Sequence, residues 1–303
     1  VLPPLIASHH PDCYPSDRAE ALRFFRGALK RTAAKPRNSG SLAGIIAPHI
    51  DFRVSLTAHA AAFRPLLDEP LADRYLILGV GHRSPIEWNL DRRDIITPLG
   101  HAHCDRDLVD TLATPAMFEP EAHRGEHSIE FPLLFLQAIH QLHPEPRDVR
   151  FIPILSGGLH RYVDSDQGWD DLTGFHALTR TLAQLFRQHP PGEKLRIIVS
   201  IDGCHVGPRF QHPFIVTPEL LESIDIWEKD LWAVAEPGDV RKFLNWFREQ
   251  RNDLYFDGVG ALALLMATGK FQIDRTYYEQ WFTPRDKSVV TFSSGLVQGR
   301  AEP

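Results

Sequence analysis

The chain has 303 residues, 43% of them hydrophobic and 24% charged, with a formal net charge of -6 and a pI near 6.2. That composition belongs to a folded chain long enough to bury a full core, and it excludes a general nucleic-acid binder, which needs a basic face for phosphates. Three cysteines without a CxxC pair give neither a disulfide framework nor a zinc ribbon, so a reducing, cytoplasmic setting is expected.

The opening VLPPLIASHHPDCYP lacks the charged n-region, apolar run and small-residue cleavage site of a signal peptide, and no stretch approaches the length of a membrane helix. DRAEALRFFRGALKR (17–31) predicts a helix with Asp17 as N-cap and Glu20 three residues on. SLAGIIAPH reads as a short buried strand that Pro48 stops just before His49. SLTAHAAAFRPLL is helical, RYLILGVGH is a second buried strand ending at His82, and DIITPL is a third strand. DRDLVDTLA predicts a short helix starting at Asp105, and EHSIEFPLLFLQAIHQL a longer one.

VRFIPIL is a strand, and GGLHRYVDSDQGWDD is the expected insertion or mobile loop. The amphipathic helix LTGFHALTRTLAQLFRQ precedes LRIIVSIDGCH, another buried strand ending at a histidine, His205. Two or three helices follow, from PELLESIDIWEKDLWAVA to GALALLMATG. KFQIDRTYYEQWF and KSVVTFSSGLV alternate apolar with polar and read as antiparallel edge strands. Strands alternating with helices predict an α/β fold, a central mixed, largely parallel sheet flanked by helices, in a single domain spanning 1–303.

Three apolar strands thus deliver His49, His82 and His205 at or just past their carboxyl ends, where open α/β sheets form their ligand crevice. Imidazole is the commonest nitrogen ligand for Zn, Cu, Fe and Ni, although a lone histidine at such a place more often caps its strand. Asp202 can ligate a metal, orient an imidazole, or stabilise the Gly203 bend as an Asx turn. Glu126 and Glu130 share a helix face, with His127 beside them; the plain reading is a helix start with acids favouring the dipole. Cys204 neighbours His205, but no base is placed for it, and a buried structural cysteine is the favoured reading. GVGH and SGGL are neither a dinucleotide fingerprint nor a P-loop.

Taken together, CYPSD, IIAPHIDF, LILGVGHRSP, an intact EHSIE at 126–130 and SIDGCHVGPRF resemble, in order, the segments of the Memo family, the B component of the AmmeMemoRadiSam system. The resemblance runs from about Ser8 to Val297 and implies a fold similar to class III extradiol dioxygenases, with a cleft that binds iron or copper. By residue matching it implies His49 and His82 as metal ligands, Asp202 and His205 in the same cleft with His205 as acid/base, and Glu126 and His127 behind the ligands or facing substrate. Many relatives carry Cys-Gly-x-x-Pro-Ile, whose cysteine completes the metal site; here the segment is NDLYFDGVGALALL, so Asp257, or Asp253 in second place, is expected as the third ligand.

Two histidines and a carboxylate would form the facial triad of Fe(II) oxygenases, with Cu or Zn as alternatives; equally, the missing cysteine fits a vestigial site. Three functions follow. The first is an Fe(II)-dependent oxidoreductase of dioxygenase type, with Asp202 holding the His205 tautomer and Tyr255, Arg53 or Arg83 binding an anionic part of the substrate. The second is a non-catalytic module partnering a radical S-adenosylmethionine protein and an AMMECR1-like protein. The third, ranked last, is zinc-assisted hydrolysis at His49, His82 and His205.

Overall fold

The computed structural model describes residues 2–33, 42–165, 167–192, 194–269 and 271–299. In chain order the elements are β1 (Leu5–Ile6), α1 (Arg18–Arg31), β2 (Leu42–Ala47), α2 (Phe52–Phe63), β3 (Arg74–Val80), β4 (Trp88–Leu90), β5 (Ile95–Thr97) and β6 (Gly100–Cys104). Then come α3 (Arg106–Leu112), α4 (His127–Leu142), β7 (Val149–Ser156), α5 (His160–Val163), α6 (Thr173–Gln188), β8 (Leu195–Ser200) and β9 (His205–Val206). The chain continues through α7 (Pro218–Ala235), α8 (Val240–Gln250), α9 (Val259–Thr268), β10 (Phe271–Thr283) and β11 (Ser288–Gly299).

The strands form one 11-stranded sheet in the order β1-β5-β6-β7-β3-β8-β2-β11-β10, with β4 on β7 and β9 on β11. β7, β3, β8 and β2 run parallel; β11 returns antiparallel to β2, and β10 pairs antiparallel with β11. Every residue of β2 and β8 is buried, as a parallel strand covered on both faces requires. One covering layer is α1, α2 and α4; the other is α3, α6, α8 and α9. The apolar stripe of α6, Phe175, Leu178, Leu182 and Leu185, has the three- and four-residue spacing of one helix face. The mixed, largely parallel α/β architecture is the one the alternation of apolar runs predicts. Among the described residues no helix is long and apolar enough to cross a membrane.

Asp17 and Asp105 cap α1 and α3, accepting from the N–H of Glu20 and Leu108. Four features differ from the sequence reading. β11 is internal, paired with β2, β9 and β10, so of the two strands expected at an edge β10 alone lies there; alternation cannot tell a strand's neighbours apart. The 157–171 segment is folded rather than loose: α5 and a 3₁₀ turn at Trp169–Asp171 form in it, with Leu159, Tyr162 and Val163 buried and the Tyr162 hydroxyl donating to Asn245 of α8 at 2.8 Å. Asp166 of that segment lies outside the described residues, as do 34–41, Glu193 and Lys270. The short strands β1, β4 and β6 carry no period a sequence can display. Finally, β8 stops at Ser200, and His205 begins the separate strand β9.

Candidate metal centre

β3, β8 and β2 are consecutive in the sheet, so the segments leaving their carboxyl ends emerge side by side. Pro48 ends β2 and sets His49 in the floor of the cleft, 1% exposed. The His49 Nδ1 lies 3.2 Å from the Ser200 carbonyl, an acceptor only, so Nδ1 carries the proton and the lone pair is on Nε2. The backbone N–H groups of His49 and Ile50 both donate to Asp202 Oδ1, at 2.9 and 3.0 Å. Asp202 therefore bolts the end of β2 to the end of β8. It neither caps the Gly203 bend nor orients His205, whose Nδ1 instead faces the carbonyls of Gly203 and Tyr255 at 3.1 and 3.2 Å.

His82 sits just past β3. Its Nδ1 is 3.0 Å from Glu126 Oε1, and its backbone N–H donates to the other oxygen. Glu126 is the N-cap of α4, also accepting from Ser128 N–H. Burial alone would raise the Glu126 pKa, but the His82 hydrogen bond and charge outweigh it and bring it down to about 2. Glu130, one turn on, plays a different part. It accepts from the backbone of Ser8 and His9 and from the Tyr14 hydroxyl, tying the N-terminal segment to α4.

The imidazole that joins His49 and His82 is His127, the first residue of α4, and not His205. Its ring centre is 5.0 Å from His49 and 4.6 Å from His82, and one nitrogen from each of the three lies within 4.8 Å of the others. Burial, helped by the neighbouring imidazoles, lowers the His127 pKa to about 3, which keeps it in the neutral form that binds metals. His205 lines the same cleft, a cavity of about 350 Å³.

A second set shares His49: its Nε2, an Asp202 oxygen and an Asp257 oxygen also lie within 4.8 Å of one another. Asp257 Oδ2 is 3.1 Å from His49 Nε2, yet that nitrogen and both Asp257 oxygens are buried without a hydrogen bond. A lone pair and a carboxylate at that distance need a cation between them. A proton satisfies it: burial would lower the His49 pKa, but Asp202 and Asp257 overturn this and push it up to about 9. A metal ion satisfies it as well, since two donors each about 2 Å from one ion stand about 3 Å apart. The neighbouring Asp202 is raised by burial and by the Asp257 charge. No such three-member set joins His82 to Asp257 among the described residues; each meets the cluster through His49.

The other expected residues lie elsewhere. Asp253 lines a separate surface cavity with Arg248 and Arg251. Arg53 is ion-paired with Asp51, and neither Arg53, Arg83 nor Tyr255 is among the lining residues of the cleft. Cys204 is fully buried, as expected of a structural cysteine. The cleft also contains residues that sequence reasoning passed over: His9, Cys13, Arg209, Phe210 and Trp281. The CYPSD segment marked the neighbourhood of the first two; nothing local marked Trp281. Cys13 donates its thiol to Asp51 at 3.3 Å, and burial with that hydrogen bond pushes its pKa up to about 12.

A parallel α/β sheet whose central strand ends converge on imidazoles and carboxylates defines a metal-ready α/β protein with its site at the strand carboxyl ends. Within that class the chain belongs to the Memo-like family, whose model matches residues 6–294. It is 25% identical over 255 residues to Protein MEMO1 of Homo sapiens, covering 82% of this chain and 79% of that protein. It is 28% identical over 218 residues to a MEMO1 family protein of Aquifex aeolicus, covering 70% of this chain and 51% of that one. A MEMO1 family protein of Thermococcus onnurineus is 27% identical over 232 residues, covering 71% and 70%.

Proposed function

We propose that this chain is a metal-dependent oxidoreductase that binds one divalent ion, Fe(II) in preference to Cu or Zn, anchored on His49, the residue shared by the two ligand sets, with His82 drawn from one set and Asp257 from the other. The observation that carries the reading is the buried, unpartnered pair of His49 Nε2 and the Asp257 carboxylate. Glu126 occupies the Nδ1 of His82 and leaves Nε2 as that ring's free donor. His127 and Asp202 stand beside these donors as further or alternative ligands. Two histidines and a carboxylate are the set used by non-haem Fe(II) oxygenases, and the chemistry such an ion supplies is reaction of dioxygen with a chelated substrate.

The protein's own part in that reaction is positioning and proton transfer. His205, with Nδ1 facing two carbonyl oxygens, keeps its lone pair on Nε2, in place to take a proton from a substrate hydroxyl. Asp202 and Glu126 hold the loops that carry His49 and His82. The test is metal analysis of anaerobically prepared protein supplied with Fe(II), followed by oxygen uptake with a panel of catechols. One ion per chain is expected in the wild type, with loss in His49→Ala and Asp257→Asn; unchanged metal in both variants removes the reading.

A second reading draws on the half-exposed Tyr255, whose carbonyl meets His205, and Phe214, which packs with Tyr255 around His212. An apolar rim of this kind suits a peptide or protein ligand, such as a radical S-adenosylmethionine protein or an AMMECR1-like protein. Absent oxygen uptake together with tight binding of such a partner favours it.

A further inference from the structure

We propose that the wall of the cleft facing the imidazoles is a subsite for an aromatic acid, with the ring on Trp281, Val290 and Phe210 and the carboxylate on Arg209. This deepens the oxidoreductase reading and rests on it for what happens at the other end of the molecule.

The wall follows from strand register. His205 of β9 is directly opposite Val290 of β11, and Val290 is directly opposite Trp281 of β10. Directly opposed residues on neighbouring strands project from the same face, so the imidazole, the isopropyl group and the indole form one row across three strands. Phe210 meets the His205 ring edge-on at 5.0 Å. An aromatic ring is the ligand group that such a surface matches best.

Arg209 completes it. Its guanidinium carbon is 5.1 Å from the centre of the Trp281 ring. Nε donates to Asp286 Oδ2 at 2.8 Å, Nη2 lies 2.7 Å from the same oxygen in an ion pair, and the backbone N–H donates to Ser288. The guanidinium is thereby fixed along one edge, and Nη1 has no partner among the described residues. Of the lining residues, Arg209 alone is a permanent cation; the acid among them outside the metal cluster, Asp51, is already paired with Arg53. A planar carboxylate suits the free donors of an arginine held in this way.

The experiment titrates the protein with benzoate, 3,4-dihydroxybenzoate and catechol by calorimetry, anaerobically, both as purified and after Fe(II) loading, with iron content measured separately. We expect 3,4-dihydroxybenzoate to bind at least about tenfold tighter than catechol, the worth of one charge-assisted contact. Arg209→Gln should abolish that difference with iron content unchanged, and Trp281→Leu should weaken both ligands. Benzoate should bind whether or not iron is present, so failure of the metal reading leaves this result readable. Equal affinity of the wild type for the acid and for catechol, or undiminished acid binding in Arg209→Gln, would overturn the proposal. Should the arginine variant not fold, the comparison of ligands on the wild type decides alone.

Discussion

Glu126 is the residue through which the site is most open to test without touching a ligand. Its carboxylate holds both the ring and the backbone of His82 while capping α4. Replacing it by Gln keeps the shape but removes the charge that fixes the His82 tautomer. Loss of a partner of this kind weakens metal binding by about 10- to 100-fold. A chelator competition against Glu126→Gln should read that loss with the circular dichroism spectrum unchanged; equal metal affinity would show that His82 is not a ligand.

At this scale the sequence was partly legible. His49, His82 and Asp202 stood out because apolar runs stop at them or just before them. Asp257 was visible only through the resemblance, at the place of a missing cysteine. The position of His127 was hidden, because the rotation of a helix about its axis is fixed by what it packs on. Trp281 was hidden more deeply: it reaches the cleft through cross-strand register, a long-range property.

Among the elements, α4 is seated closely on β3. A Cβ at Gly79 of β3 would lie 2.6 Å from Ser128 Oγ and 2.9 Å from Ile129 Cδ1. Ser128 cannot swing away cheaply, since its hydroxyl bonds both the N–H and the carbonyl of Val80. Gly79→Ala should therefore push the first turn of α4 off the sheet and carry Glu126 and His127 with it. We expect a loss of about 1–3 kcal/mol by urea unfolding, the usual cost of overpacking, together with weakened metal binding. Full stability in this variant would mean the helix start is less firmly seated than the contacts require. The long helices and buried strands could be read from period and apolar runs. The pairing of β11 with three strands, and the short helical turns of 157–171, are set by tertiary partners such as Asn245 and escaped local reading.

For the whole molecule, acid should be destabilising well above the carboxylate range. Burial lowers the pKa of His59 to about 3 and those of His123 and His140 to about 4. Once unfolded, these histidines titrate near 6.5, so between that value and about 4 the unfolded chain takes up protons that the native one refuses. Stability falls as pH drops through this window, by about 1.4 kcal/mol per pH unit for each such group. His49 does not offset the slope: its raised pKa gives stability that is already complete below 6.5 and is lost only as pH rises through about 9. The urea midpoint of metal-free protein should be clearly lower at pH 5 than at pH 7, and a flat profile would contradict the buried, neutral state of these rings.

The order of the sheet separates two jobs along the chain. His49 and His82 follow directly on β2 and β3, inner strands paired on both sides, whereas Trp281 rides on β10, the last strand of the sheet. A mutation in the outer hairpin can reshape what the protein accepts while sparing the machinery at its centre. Descendants of one ancestral reaction could thus drift to new molecules by redecorating a single border.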